Sequence, residues 1–452
     1  MSEIEEKTVK ICLILEGCYP YVFGGVSTWM HQYINEMKEH EFVLWVIGAN
    51  AKDKGKFVYE LPKNVVEVHE VFLDDALRLK DSGKMLHAFT EEETMLHRYD
   101  DTRLTTVAMH PRYRNIETDS IPADLAVATE VNSYNYRYMY FPGDMKRYPE
   151  KTFYQSEASV AAMGPNFYEM DRDKVLGLAY WGAIDYLGES MGWPVKGWNQ
   201  GVFDLSLQPK PDAYFVKSMF TDEPTVHIGV IEKSGGNIQW NGINVSAGKL
   251  SENWNREAGE MVSLYTYTNG DEVELFLNGK SLGVKKNSND PKLRARIKWD
   301  NIAYAPGTLV AVAKKNGKVV ARHQIETTGE AVALKLVPDM ETWHADGKDL
   351  MHVRIYAVDK KGRRVLNVKD AKAFDKLTFT VKGDANIVAV DNGNITSDEL
   401  HIGKTQLEKS IQRHLFQGSA LVILRAGDKP GKIELSVAGE KMKAKKLVLN
   451  TK

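Results

Sequence analysis

The chain has 452 residues, more than one ordinary hydrophobic core accommodates, and this length predicts about two to four domains. A net charge of −2 gives no basic footprint for nucleic acid, and no apolar stretch reaches the roughly 18 residues of a membrane span. The two cysteines, Cys12 and Cys18, exclude a disulfide framework as a major stabiliser, so we expect free thiols and no metal site. The acidic start lacks a signal-peptide pattern, which predicts a cytoplasmic location for the chain as written.

The first eighty residues have the spacing of a parallel α/β unit. Residues 9–15 are a continuous apolar run, typical of a parallel strand covered on both faces. A Gly24-Gly25 loop, a helical pattern over 26–38 and strands at 42–47 and 65–71 follow. The glycine pair leaves backbone N–H groups able to face an anion, although it equally suits a plain strand-to-helix turn.

The stretch ICLILEGCYPYVFGGVSTWMHQYI, continued by HEFVLWVIG, resembles the N-terminus of family 4 glycosyltransferases of the PelF type over about residues 8–78. The resemblance implies a Rossmann-like domain over 1–80, with Gly24 and Gly25 in the loop near the donor diphosphate. The second domain of that family, which binds the nucleotide sugar, has no counterpart in this sequence. Transferase activity therefore ranks last among the functional interpretations of the chain.

Residues 85–224 predict half of a (β/α)8 barrel. Strands at 104–109, 125–131, 153–159 and 178–189 alternate with helical segments and carry polar or aromatic residues at their C-terminal ends. The motifs DDTRLTTVAMH, VNSYNY, YQSEAS and YWGAIDYLGE resemble strands five to eight of glycoside hydrolase family 2, the β-galactosidase and β-glucuronidase family. The resemblance implies that Glu157 is the nucleophile and that Tyr134 hydrogen-bonds it. It also implies a sugar subsite lined by Asn132 and Trp181, with Trp181 as the stacking wall and Trp193 and Trp198 as candidates to extend it. His110 suits a subsite residue and a satisfied loop histidine equally.

The chemistry of this family needs two carboxyl groups, and the sequence provides a clear candidate for one. A nucleophile must stay ionised, so it requires hydrogen-bond donors, and the oxocarbenium-like transition state is stabilised by negative charge. The family's acid/base is a Glu after Asn at the end of the fourth strand, but the first four strands have no counterpart in this chain. The one Asn-Glu pair of the sequence, Asn35-Glu36, lies in a predicted helix of the N-terminal segment, so we interpret it as a coincidence. Asp185 and Glu189 suit structural as well as functional roles.

Two expectations follow from the missing acid/base. Hydrolysis of natural β-galactosides should be weak or absent, because leaving-group protonation contributes about 10²–10⁴ in rate. Residues 8–78 should not replace the missing half of the barrel.

The C-terminal half predicts two β-sandwiches, over 225–329 and 330–452, the second Ig-like. Short strands recur with turn signals, and Asn278-Gly279 and Asn316-Gly317 are strong two-residue hairpin signals. The stretches DEVELFLNGKSLG and IVAVDNGNITSDE resemble accessory domains of Bacteroides-type family 2 enzymes. The group Asp391, Asn392 and Asn394 suits a turn or a Ca²⁺ loop.

Taken together, the sequence predicts a multidomain α/β plus all-β chain with a Rossmann-like fragment, a half barrel and two sandwiches. The favoured function is a retaining β-glycosidase of the family 2 type, without a cofactor and with impaired activity, whose partner is an oligosaccharide or glycoside. A non-catalytic carbohydrate-binding or inert fusion protein is the alternative, followed by a family 4-like glycosyltransferase. No nucleic acid or membrane partner is expected, oligomerisation is left open, and full-length relatives are expected in the periplasm or secreted.

Overall fold

The computed structural model describes residues 9–16, 19–48, 50–72, 93–110, 129–158, 168, 170–232, 237–240, 243–246, 250–366, 370–405 and 407–452. The chain divides into two compact units, Met1–Ser133 with Gly143–Phe153, and Tyr134–Pro142 with Tyr154–Lys452. Cys18, most of the helical stretch expected over 85–99 and residues 125–128 of an expected strand lie outside the described ranges. In the described part of the chain, no helix is both long and apolar enough to cross a membrane.

The first unit begins with a three-stranded parallel sheet and one helix. Its elements are β1 (Lys10–Glu16), α1 (Gly25–Glu36), β2 (Glu41–Gly48) and β3 (Val65–Phe72). The sheet order is β1-β2-β3 with both pairings parallel, so the predicted strands, helix and strand direction are confirmed. Phe42, Leu44 and Val46 alternate into the core against Ile34 of α1.

The outer face of β1 differs from the expectation. The sequence predicted a strand covered on both faces, but Ile14 is 53% exposed while Leu15 is 6% exposed. The apolar run therefore buries one side chain in two along this strand, as a sheet covered on one face requires. Residues 93–99 are helical and β4 spans Thr106–Met109, within the strand predicted at 104–109.

The next strands are β5 (Val131–Asn135), β6 (Thr152–Ala158) and β7 (Val175–Tyr180), in a sheet of order β4-β5-β6-β7. The Tyr136 N–H donates to the Glu157 carbonyl at 2.8 Å, and the Trp181 N–H donates to the Ala158 carbonyl at 3.0 Å. The C-terminal ends of β5, β6 and β7 therefore meet, and these three strands run in the same direction. The short helix α2 spans Phe141–Arg147 between β5 and β6.

Two sequence-based strand predictions in this region were wrong in their bounds. β5 begins at Val131, where the strand predicted at 125–131 was expected to end, and continues to Asn135, so Asn132 and Ser133, which were placed in a loop, are buried strand residues. The run 178–189 is two strands rather than one, since the chain turns at Gly182 with φ +63 and continues as β8 (Tyr186–Gly192). β8 pairs antiparallel with β9 (Val195–Trp198).

No sheet of the described strands closes into a barrel. β1–β3 form one sheet and β4–β7 form another. The half barrel and the Rossmann-like classification accordingly stay predictions. Helix α3 (Pro211–Phe220) follows β9 and begins with proline at its first position, where the missing N–H costs nothing.

The remaining strands form two sandwiches. The first contains β10 (Val226–Ile231), β11 (Asn237–Trp240), β12 (Ile243–Ser246), β13 (Leu250–Ser251), β14 (Met261–Thr268), β15 (Glu272–Leu277), β16 (Lys280–Lys286), β17 (Arg296–Ala303), β18 (Thr308–Lys315) and β19 (Lys318–Glu326). Its sheets, β13-β10-β14-β17 and β16-β15-β18-β19, share one apolar core around Trp254. β11 pairs only with β12 among the described strands.

The second sandwich contains β20 (Ala333–Pro338), β21 (Leu350–Val358), β22 (Lys376–Lys382), β23 (Ala385–Asp391), β24 (Ser410–His414), β25 (Ser419–Ala426), β26 (Gly431–Gly439) and β27 (Lys445–Thr451). Its sheets are β20-β21-β25-β23 and β24-β22-β26-β27, with Trp343 fully buried between them. Both predicted hairpins are confirmed: Asn278-Gly279 joins β15 to β16, and Asn316-Gly317 joins β18 to β19, all four residues with positive φ.

The second sandwich also contacts the segment that follows β9. The Arg354 guanidinium donates to the carbonyls of Ser206 at 2.8 Å and Leu207 at 2.7 Å. The Tyr356 hydroxyl donates to the Gln208 side chain at 2.9 Å. Within β9 itself, the Lys196 ammonium donates to the Ser397 carbonyl at 2.7 Å and pairs with Asp398. These contacts hold the chain between β9 and α3 against the sandwich.

Candidate functional site

Glu157 lies at the penultimate position of β6, where the strand leaves the buried interior. Phe153 and Gln155, on the same face of the strand, are fully buried, whereas Glu157 is half-buried. A carboxylate in this position borders the protein interior but remains within reach of a molecule outside it. This is the placement that the sequence predicted for a nucleophile at the C-terminal end of a strand.

The tyrosine next to the Glu157 carboxylate is Tyr136, which the sequence motifs did not single out. The Tyr136 residue is 2% exposed. Its backbone, just after the end of β5, adopts the left-handed conformation with φ +56. Burial raises the pKa of the Tyr136 hydroxyl, and the Glu157 carboxylate raises it further through its charge and through hydrogen bonding. The hydroxyl therefore stays protonated and is able to donate to the carboxylate.

Tyr134, which the resemblance assigned to that role, is fully buried, and its ring centroid lies 5.3 Å from that of Phe141. Its function as the donor to Glu157 stays a prediction. The motif VNSYNY contains both tyrosines, and the resemblance points to only one of them. Tyr136 lies just after β5 with φ +56, so the alternation of side chains along the strand does not predict its direction.

A second carboxylate, Glu189, belongs to the same group of side chains. Its Oε2 accepts from the Trp181 indole Nε1 at 3.3 Å and from the Tyr186 hydroxyl. Burial raises the pKa of Tyr186, the hydrogen bond and charge of Glu189 raise it further, and the charge of Glu157 adds to the same effect. The Tyr136 hydroxyl is likewise subject to the charges of both carboxylates. Glu157 and Glu189 therefore face one set of aromatic hydroxyls.

The three tryptophans of the predicted stacking wall differ in exposure. Trp181 directly follows β7, is half-buried, and is fixed by its indole contact with Glu189 and its backbone bond to Ala158. Trp193 is 80% exposed, with the Lys196 ammonium 5.7 Å from its ring centroid. Trp198 is 2% exposed and packs under Gly182, so its ring offers no face to a sugar. The part of the prediction that concerned Trp198 is wrong for this reason.

The other predicted site residues belong to the first unit. Asn132 is fully buried, and its Oδ1 accepts from the Thr129 hydroxyl at 3.1 Å, while His110 is exposed. Gly24 and Gly25 precede and begin α1, whose first turn has no side-chain cap. A Cβ at either glycine would meet open space, so neither is required by close packing. Their part in a diphosphate loop stays a prediction.

Two carboxylates with candidate roles in the sequence have structural partners instead. Asp185 is buried and accepts from the Lys210 ammonium at 2.7 and 2.8 Å and from the Gly201 N–H at 2.9 Å. Asp391 accepts from the N–H groups of Asn392 and Gly393, as in a turn. Asn35, of the Asn35-Glu36 pair, donates to the carbonyl one turn earlier in α1.

One further cluster resembles a metal site. His227, Glu252 and His323 bring three ligand atoms within 4.8 Å of one another, and Tyr214 stacks on the His227 ring at 3.5 Å. However, His323 Nδ1 accepts from the Ile228 N–H at 3.1 Å, which places the proton of the neutral imidazole on Nε2, towards Glu252. A metal requires a lone pair on that nitrogen. The tautomer therefore favours a hydrogen-bonded His–Glu–His group over a cation site.

Profiles of known families match three parts of the chain. Residues 334–448 match "Glycoside hydrolase family 2 C-terminal domain 5", and residues 259–321 match a domain of unknown function, DUF4982. Residues 9–174 match another domain of unknown function, DUF3492, so the resemblance to a PelF-type glycosyltransferase is not confirmed. That match also crosses the boundary predicted between residues 80 and 85.

The curated relatives are glycosidases. The chain is 34% identical over 273 residues to "Beta-galactosidase BoGH2A" of Bacteroides ovatus, a match that covers 60% of this chain and 28% of that protein. It is 30% identical over 187 residues to "Beta-glucuronidase" of Formosa agariphila, covering 41% of this chain and 16% of that protein. The chain thus matches less than a third of the length of either relative.

Solved structures show the same fold. A glycosyl hydrolase family 2 member from Bacteroides cellulosilyticus aligns with a TM-score of 0.70 and 22% identity, over 97% of this chain and 54% of that one. A beta-glycosidase from Bacteroides vulgatus aligns with a TM-score of 0.61 and 19% identity, over 97% of this chain and 56% of that one. The curated relatives and the profile over residues 334–448 support a similarity to glycoside hydrolase family 2, and the solved structures show the shared fold.

Proposed function

From this support for glycoside hydrolase family 2, we propose that the chain carries the nucleophile side of a retaining β-glycosidase site and acts on glycosides or oligosaccharides. Glu157 is the nucleophile and Trp181 the stacking surface, on a half barrel over 85–224. The observation that carries the proposal is the placement of the Glu157 carboxylate at the open end of β6 beside the Tyr136 hydroxyl. A donor of this kind keeps a carboxylate ionised and therefore nucleophilic.

In the proposed reaction, a Glu157 carboxylate oxygen attacks the anomeric carbon as the bond from that carbon to the leaving oxygen breaks. The positive charge that develops on the sugar ring is stabilised by the negative charge of the site. The leaving oxygen takes a proton from solvent, because both described hydrogen bonds of Glu189 use its carboxyl group as an acceptor. Leaving groups that depart without protonation should therefore react, and alkyl glycosides should react poorly.

A second candidate function is carbohydrate binding without hydrolysis. It is favoured by the same two hydrogen bonds, in which Glu189 acts only as an acceptor, so no carboxyl group among the described residues around Glu157 is seen to donate a proton. In that case Trp181 and the two carboxylates would bind the sugar, and no covalent intermediate would form.

The test is a mechanism-based label, 2-deoxy-2-fluoro-β-D-galactosyl fluoride, whose fluoride leaves without an acid. We expect the purified chain to gain the mass of one fluorosugar, located on Glu157 by peptide mass spectrometry. The Glu157→Gln variant should gain none, whereas Glu36→Gln, at the end of α1, should label as the parent does. Binding of galactosides without labelling would favour the second candidate, and labelling of another carboxylate would refute the assignment of Glu157.

A matched pair of tyrosine variants tests the donor. Tyr136→Phe removes the hydroxyl beside the Glu157 carboxylate, and loss of a hydrogen bond to a charged group costs about 1.5–3 kcal/mol. The labelling rate should therefore fall by about 10- to 150-fold. Tyr134→Phe, which changes the tyrosine that the resemblance favours, should have a smaller effect if Tyr136 is the donor. The reverse order of rates would restore Tyr134 to that role.

A further inference from the structure

The proposed site contains an acceptor oxygen that the protein itself does not use. Glu189 is exposed, and both of its described hydrogen bonds, from Trp181 and Tyr186, go to Oε2. Its Oε1 accepts no hydrogen bond from the residues that the structure describes. An ionised carboxylate has acceptor capacity on both oxygens and no proton to donate. Oε1 is therefore suited to a ligand that brings its own hydroxyl donor.

The charge around this oxygen is negative. The carboxylates of Glu157 and Glu189 both act on the hydroxyls of Tyr136 and Tyr186, and no cation is among the main influences on either hydroxyl. The basic side chain of β9, Lys196, is engaged with Asp398 and the Ser397 carbonyl.

We infer that Glu189 makes this site select neutral glycosides, whose hydroxyl groups donate to Oε1, over glycosides of uronic acids. The inference rests on the proposed function, because it places the sugar between Trp181 and Glu157. A uronate would bring a third carboxylate beside Glu157 and Glu189, and like charges a few ångströms apart repel one another by about 1 kcal/mol even in water. The names of the curated relatives include both a galactosidase and a glucuronidase, so the distinction separates two chemical classes.

The experiment measures binding rather than turnover, so that it does not depend on an acid/base. The full chain is titrated by ligand-observed NMR with phenyl 1-thio-β-D-galactoside, phenyl 1-thio-β-D-glucoside and phenyl 1-thio-β-D-glucuronide. The glucoside controls for sugar stereochemistry, since it differs from the glucuronide only at C6. We expect the glucuronide to bind at least about tenfold more weakly than the glucoside, as one close like-charge repulsion predicts.

Glu189→Gln retains an acceptor oxygen and removes one of the two charges, so the ratio between glucoside and glucuronide affinities should fall, with the repulsion from Glu157 remaining. Glu189→Asn provides a second uncharged variant, whose side chain tolerates the left-handed backbone at this position, where φ is +47. Glucuronide binding equal to or tighter than that of the glucoside, or an unchanged ratio in both variants, would overturn the inference. Failure of all three glycosides to bind would also overturn it.

The two proposals fail in different ways. Loss of fluorosugar labelling at Glu157 with retained selectivity for neutral sugars would remove the nucleophile and leave the role of Glu189 intact. Labelling of Glu157 without selectivity between glucoside and glucuronide would support the nucleophile and refute the role of Glu189.

Discussion

The ion pair between the buried Asp185 and the part-buried Lys210 lies a few residues after Trp181, and its removal gives the sharpest stability prediction. The Asp185 side chain is 4% exposed and receives the Lys210 ammonium on both oxygens at 2.7 and 2.8 Å. The same ammonium donates to the Asn199 carbonyl at 3.0 Å, and the Gly201 N–H donates to Asp185. The variant Lys210→Met removes the charge and keeps most of the apolar stem.

The expected cost follows from the burial of the remaining carboxylate. Breaking a buried pair by removal of one partner costs about 3–5 kcal/mol, because the other charge is left without compensation. Burial already raises the pKa of Asp185, and Lys210 offsets this only in part. In Lys210→Met that pKa rises further, so the folded state holds a proton that the unfolded state releases. The variant should therefore regain stability as pH falls towards the ordinary range of a carboxyl group.

The double variant Asp185→Leu with Lys210→Met is the matched control. Replacement of both members of a buried pair by apolar groups is often nearly neutral, and we expect a cost of about 1 kcal/mol or less. A single unfolding free energy is not defined for a chain of several domains. The assay is therefore native-state hydrogen exchange at the Asp185 amide, which donates to the Phe203 carbonyl, and at the Val202 amide, which donates to the Ala183 carbonyl. Equal protection in parent and single variant, or a double variant as labile as the single, would refute the reasoning.

Two further predictions concern the turn at Gly182 and the His323 cluster. A Cβ on Gly182 would lie 2.5 Å from the Trp198 Nε1 at φ +63, so Gly182→Ala should cost more than the roughly 1–2 kcal/mol of left-handed strain. Gly188→Ala, at φ +102 in open space, controls for strain alone, and equal changes in thermal midpoint would contradict the steric argument. Burial lowers the pKa of His323 to about 4, and the charge of His227 contributes, so the unfolded chain takes up that proton first on acidification. The stability of the first sandwich, followed by near-UV circular dichroism, should fall as the pH is lowered from about 6.5 to about 4. His323→Gln should reduce this pH dependence of stability. An unchanged pH dependence in the variant would contradict the assignment to His323.

The elements that the sequence predicted well are those specified by neighbouring residues. Asn278-Gly279 encodes its hairpin because both positions adopt positive φ, and the apolar runs of β1 and β2 match the strands they form. The run 178–189 was misread as one strand because its apolar composition is continuous, while the turn depends on Gly182 packing against Trp198, a residue sixteen positions later.

The grouping of site residues depended on contacts that no local pattern records. No motif in the sequence links Glu189 to the other site residues. Its position beside Trp181 and Tyr186 arises only because β8 folds back after the turn. Tyr136 was passed over because the motif pointed to Tyr134, yet the left-handed end of β5 is what directs the Tyr136 ring to Glu157. In both cases tertiary structure, rather than composition or spacing, decides which side chains meet.

The bonds from Arg354 and Tyr356 to the stretch after β9 bear on how this protein can be dissected. A boundary near residue 330 separates the two sandwiches in sequence. It also removes the residues whose side chains hydrogen-bond to backbone carbonyls some 150 residues earlier in the chain. Truncation there would remove these hydrogen bonds and the ion pair between Lys196 and Asp398, and so loosen the segment from Trp193 to Gln208. The second sandwich therefore stabilises this segment from outside it. In shortened versions of the chain, the conformation of residues 193–208 should be checked before their ligand binding is interpreted.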